Sequence, residues 1–140
     1  MRKFNSQICT TREQSERLLS LGLRKETADM VWNIDWCCSE DAETIVALCE
    51  HHPYQYFPAW SLGRLIEMLP SPIQHNQDLP SFSKYAFLDL HKASVSYEYE
   101  DYDGIDCVLA SFYGNGFFNA VVDCIEWLIK EGYFNKEYLI

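Results

Sequence analysis

The apolar positions along this chain keep a helical period over its first half, turn to a period of two beyond residue 83, and return to a helical period near the end. Thr11 followed by Gln14 three residues later forms a capping box for the orphan donors of a first helix. Leu18, Leu19 and Leu21 supply the apolar side of that helix, and Gly22 is placed to end it in a left-handed conformation. In "KETADMVWNIDW", Ala28, Val31 and Trp32 fall at helical spacing, while Val31 to Trp36 suits an extended run equally, so periodicity leaves both readings open. Ser39 with Glu40 and Asp41 starts a further helix, since the serine caps it and the carboxylates meet the positive end of its dipole. Ala42, Ile45, Val46 and Cys49 then recur on one face until Pro53 stops the pattern. Pro58 and Pro70 frame another helix that begins near Trp60 or Ser61 and turns Leu62, Leu65, Ile66 and Leu69 inward, with Gly63 as a weak point.

Residues 71–83 are rich in Pro, Ser, Asn and Gln and read as a surface loop. Alternation begins beyond it. "YAFLDLHKA" is a first strand, with a turn at Ala93-Ser94. In "SYEYEDYDGID", the pair Asp103-Gly104 predicts a two-residue type I′ turn. That turn sets Tyr99 opposite Val108, Tyr97 opposite Ala110 and Val95 opposite Phe112, all on one face. Ser96, Glu98 and Glu100 fall on the other face with Cys107, Leu109 and Ser111, and Asp101 faces Asp106 across the strands, an unfavourable like-charge pair. In "GFFNAVVDCIEWLIKEG", the polar residues Asn119, Asp123, Glu126 and Lys130 make one narrow stripe, so this helix is central; Asn115 is its candidate cap and Gly132 its end. The pattern as a whole predicts a single α+β domain over residues 1–140. Three to four N-terminal helices lead to an antiparallel three-stranded meander, and a C-terminal helix packs on the sheet.

Composition supports a substantial core, for 48% of the 140 residues are apolar and 15% aromatic. Charge adds a functional constraint. Residues 1–26 hold six basic and three acidic side chains, a balance of +3, whereas the remainder holds five basic and eighteen acidic, a balance of −13. Such a chain repels phosphate backbones, which argues against nucleic-acid binding; the acidity serves solubility or, on a sharper reading, makes a surface complementary to a basic partner or one imitating nucleic acid. No apolar run is long enough to span a bilayer, and "MRKFNSQICTTREQ" lacks the apolar stretch of a signal peptide. A cytoplasmic location is therefore expected, with the six cysteines mostly free thiols.

Candidate chemistry is sparse. Cys37, Cys38, Cys49, His51 and His52 are the residues from which a metal site would be drawn, but adjacent ligands point apart and the paired spacing of zinc sites is missing. Calcium fits the hairpin poorly: with Gly104 at the sixth loop position, Tyr99 and Ala110 occupy positions that require carboxylates. Tyr54, Tyr56, Phe57 and Trp60 gather close in sequence to Trp32 and Trp36, as core, as an exposed protein-binding patch, or as the lining of a ligand groove. Asp123 with Glu126, and Asp89 with His91, are the pairs whose spacing permits acid–base work. Nucleophile elbows, phosphate loops and dinucleotide fingerprints do not occur, so no catalytic, cofactor-binding or metal residues are assigned. The candidate interaction patch is Glu98, Glu100, Asp101, Asp103 and Asp106, together with Tyr54, Tyr56 and Trp60.

Taken together, "TREQSERLLSLGL", "ETADMVW", "PAWSLGRLIEML" and "VVDCIEWLIKEGYF" resemble a family of small uncharacterised proteins of gut-dwelling anaerobic bacteria, associated with prophages and other mobile elements. The resemblance rests on caps and core patterns, so it carries over no functional residues. It implies an α+β domain with an accessory or host-interaction role. The leading expectation is a non-enzymatic protein-interaction module; a small enzyme or ligand-binding protein using residues 54–60, and a nucleic-acid mimic, are the alternatives.

Overall fold

The structure, a computed structural model, describes residues 7–33, 44–45, 56–76, 78–79 and 83–140. The chain divides into two compact units, Met1–Ile66 with Glu137–Ile140, and Glu67–Lys136.

In the first unit, helix α1 (Arg12–Ser20) opens with a complete capping box: Gln14 N donates to Thr11 Oγ1 at 3.1 Å, and Thr11 N donates to Gln14 Oε1 at 3.0 Å. It closes through Gly22 at φ 96°, where Leu23 N reaches back to Leu18 O at 3.1 Å. After a single 3-10 turn (Lys25–Thr27) the chain becomes extended. Strand β1 (Met30–Asn33) lies between β2 (Thr44–Ile45) and β3 (Tyr56–Ala59), antiparallel to both. Helix α2 (Leu62–Glu67) follows, with Ser61 as its cap: the serine carbonyl accepts from Leu65 N at 3.1 Å and its hydroxyl from Arg64 N at 3.2 Å. Cys9, Met30 and Ala59 form a buried cluster against which Trp32 packs, while the Trp32 indole nitrogen donates to Thr10 O at 2.9 Å.

The second unit is a four-stranded antiparallel sheet with a helix on one face. Its strands are β4 (Ile73–Gln74), β5 (Tyr85–Leu90), β6 (Ser94–Glu100) and β7 (Asp106–Tyr113), adjacent in that order. Helix α3 (Phe117–Glu131) buries Phe118, Ala120, Val121, Val122, Cys124, Ile125 and Leu128, and its Trp127 ring meets Tyr97 and Phe112 at 5.9 and 5.7 Å. Gly132, at φ 79°, ends it in the left-handed region.

The fold is α+β, but the described residues form three α-helices and two antiparallel sheets rather than three or four N-terminal helices and one three-stranded meander. Each difference has a local cause. Val31 and Trp32 are extended because β-branched and aromatic side chains suit a pleated surface, and strands on both sides complete their ladder. Thr44 and Ile45, expected within a helix begun at Ser39, are paired with Trp32 and Val31; the rest of that expected helix lies outside the described residues. Pro58 belongs to β3, an edge strand among the described residues, where a sheet tolerates a missing donor. Within the segment read as loop, buried Ile73 opposes Ala86 and adds a fourth strand. Gly116, not Asn115, is the N-cap residue of α3, and no side chain caps it.

Both hairpins turn differently from expectation. His91 N donates to Ser94 O at 2.9 Å, so the β5–β6 turn is centred on Lys92-Ala93, one residue early. At the β6–β7 tip, Asp101 N donates to Ile105 O at 2.9 Å around three residues, with Gly104 at φ 73°. This is the three-residue loop closed by a left-handed glycine, not the two-residue type I′ turn. It displaces the register by one near the tip, so Tyr99 opposes Cys107 and Glu98 opposes Val108. A bulge at Leu109 then restores the expected pairs Tyr97 with Ala110 and Val95 with Phe112.

Candidate functional site: the outer face of the four-stranded sheet

Strand alternation sends Val95 and Tyr97 inward, where both are fully buried, and sends Ser96, Glu98 and Glu100 to the face opposite α3. Pairing brings Tyr85, Phe87, Asp89 and His91 to that outer face from the β5 side, and Asp106, Val108, Ser111 and Tyr113 from β7. Its large side chains are open to solvent: Phe87 is 55% exposed, Val108 58% and Tyr113 78%. Tyr102 and Ile105, at the hairpin tip, are likewise exposed. Phe87, Glu98, Tyr99, Glu100 and Asp106 border a recess of about 380 Å³. Scattered apolar side chains on a protein surface need no explanation, but several on one sheet face, interleaved with carboxylates, make a surface of definite character.

The carboxylates are held by identifiable contacts. Asp101 Oδ1 accepts from the backbone nitrogens of Asp103 and Ile105, both at 2.9 Å, so this side chain builds the turn. Glu100 stands directly across from Asp106, the position expected for Asp101. Asp89 Oδ2 lies 3.3 Å from His91 Nε2. Glu98 is diagonal to Asp89 across the hairpin; the neighbouring Asp89 carboxyl, able to hold the proton of Glu98 between them, together with slight burial and the charges of Asp89 and Asp106, raises the Glu98 pKa, while His91 acts in the opposite sense. Donor atoms of Asp89, His91 and Glu98 all lie within 4.8 Å of one another.

Of the residues expected to form an interaction patch, Glu98, Glu100 and Asp106 share this face, and Asp101 and Asp103 sit at its hairpin tip. The aromatic members do not join them on a surface. Trp60 is 0% exposed, its indole nitrogen donating to Thr27 Oγ1 at 3.0 Å, so it belongs to the core of the first unit. Tyr56 lies in β3, and Tyr54 falls outside the described residues, as do Cys37, Cys38, Cys49, His51 and His52. Asp123 and Glu126 stay on the polar stripe of α3, where Glu126 pairs with Lys130 at 2.9 Å. Asp89 and His91 are brought together by the structure.

Sequence reasoning missed Tyr85, Phe87, Val108 and Tyr113 as surface residues. For the first two the signal was present, since "YAFLDL" alternates and places Tyr85, Phe87 and Asp89 on one side. For Val108 it was not, because the bulge at Leu109 turned it outward.

No protein family, curated protein or solved structure matches this chain. Among the described residues, no helix is long and apolar enough to cross a membrane.

Proposed function

We propose that the protein is a non-enzymatic binding module whose outer sheet face engages a basic protein partner. The observation that supports this reading is the composition of that face: exposed Phe87, Val108 and Tyr113 stand among Asp89, Glu98, Glu100 and Asp106. The apolar side chains provide area that binding would remove from water, and the carboxylates select a partner carrying Lys and Arg. The −13 balance beyond residue 26 extends the attraction and quickens encounter. An accessory role on a mobile element, suggested by the resemblance, is compatible with such a module and rests on that resemblance alone.

The test begins with affinity capture on the full chain, followed by purification of the recovered partner and direct titration against wild type and against the triple variant Phe87→Ser, Val108→Ser, Tyr113→Ser. Circular dichroism checks that the variant folds. The expected result is at least about a tenfold loss of affinity in the variant, with wild-type binding weakening as salt rises and the Debye length shortens to about 8 Å or less. Unchanged affinity in the folded variant, or no specific partner at low ionic strength, overturns the reading.

A further inference from the structure

We propose that Asp89, His91 and Glu98 form a binding site for one divalent transition-metal ion, of which Zn²⁺ is the best match, on the outer face of the β5–β6 hairpin. The proposal stands independently of any protein partner. Three features carry it: the donor set, its spacing, and a buried hydroxyl beside it.

The donor set comprises one imidazole and two carboxylates. Imidazole suits zinc and its neighbours in the first transition row, and carboxylates complete the ligand sets of many zinc sites. Calcium and magnesium prefer an all-oxygen shell, so the histidine disfavours both. Spacing fits as well. With metal–ligand bonds of about 2.1 Å, tetrahedral ligand atoms stand about 3.4 Å apart. Asp89 Oδ2 and His91 Nε2 are already separated by 3.3 Å, and the whole set spans no more than 4.8 Å. Rotation of exposed carboxyl groups is enough to close the remaining gap.

The hairpin explains why these donors meet. Asp89 and His91 are two residues apart on β5 and its extension, so both point to the same side, and the His91–Ser94 backbone bond fixes the end of the strand. Glu98 arrives from β6, diagonal to Asp89. Two carboxylates within 4.8 Å of each other repel, and a cation between them removes that cost. Asp106, which also raises the pKa of Glu98, adds negative potential from β7.

Ser96 supplies an independent pointer. It is directly opposite Asp89 and two residues before Glu98, on the same face, yet it is only 4% exposed and its hydroxyl has no hydrogen-bond partner. A buried hydroxyl without a partner is costly, and at a strand position across from Asp89 and two residues before Glu98 a cation, or a water molecule that the cation holds, would relieve that cost. Three protein ligands leave a fourth position open, the arrangement in which zinc accepts an outside donor.

The full chain, kept reduced, is titrated with Zn²⁺ by calorimetry and with Mn²⁺ by amide-resonance broadening, alongside His91→Gln and Asp89→Asn. Mn²⁺ is chosen because it favours carboxylate over thiolate ligands, so the cysteines do not dominate the readout. The expected result is broadening centred on residues 89–98, and a loss of Zn²⁺ affinity of about tenfold or more in both variants. Broadening centred elsewhere, Zn²⁺ affinity unchanged in either folded variant, or no binding below about 1 mM, which is −4.1 kcal/mol, overturns the proposal.

Discussion

The Trp60 indole nitrogen donates to the Thr27 hydroxyl at 3.0 Å, and the same hydroxyl donates to Arg24 O at 2.6 Å. One small side chain therefore satisfies the polar atom of the largest buried residue and ties it to the 3-10 turn. Replacing Thr27 with Val keeps the shape and strands the indole N–H inside the first unit. The expected cost is about 1–3 kcal/mol, read from chemical denaturation. Thr27→Ser should cost less, because the hydroxyl is retained.

Alkaline pH should destabilise the second unit. Burial pushes the Cys124 thiol up from 9.0 to about 12, and the Tyr97 phenol is also raised from 10.0 by burial and by Cys124. Each group holds its proton more tightly folded than unfolded, so between the two pKa values the native state carries the extra proton. Stability is then fully present below about pH 9 and declines as pH rises toward 12. Thermal melts across that range check this, and Cys124→Ala should flatten the decline.

Glu98→Gln tests the repulsion on the outer face. Glu98 has its pKa raised chiefly through Asp89, so its charged form is disfavoured in the folded hairpin. Removing the charge should leave the melting temperature at pH 7 unchanged or slightly higher, worth about 0.2–1 kcal/mol at most for a cross-strand pair. As the pH falls and the wild-type carboxyl also takes up its proton, the difference should shrink.

The hairpin tip depends on two residues. Asp101→Ala removes the acceptor of two backbone donors, Asp103 N and Ile105 N, and Gly104→Ala forces a side chain into φ 73°. Each should cost about 1–2 kcal/mol, and Asp101→Asn should retain most of the stability. Hydrogen exchange at Ile105 should quicken in Asp101→Ala, confirming that the loss is local.

The amino-acid order alone determined features whose partners lie within a few residues: the Thr11–Gln14 box, the stop at Gly132, the polar stripe of α3 and a chain reversal around Asp103 and Gly104. Such features close their hydrogen bonds locally, so the chemistry needed to read them is contiguous. Tertiary structure decided the rest. Met30–Asn33 became a strand because Tyr56–Ala59 pairs with it from 23 or more positions away, a partner that no local period reveals. The register near the hairpin tip depended on the three-residue loop and the bulge at Leu109, which together turned Val108 out to solvent. Asp89, His91 and Glu98 became neighbours only when two strands folded together, because a sheet assembles its surface from segments that the chain keeps apart.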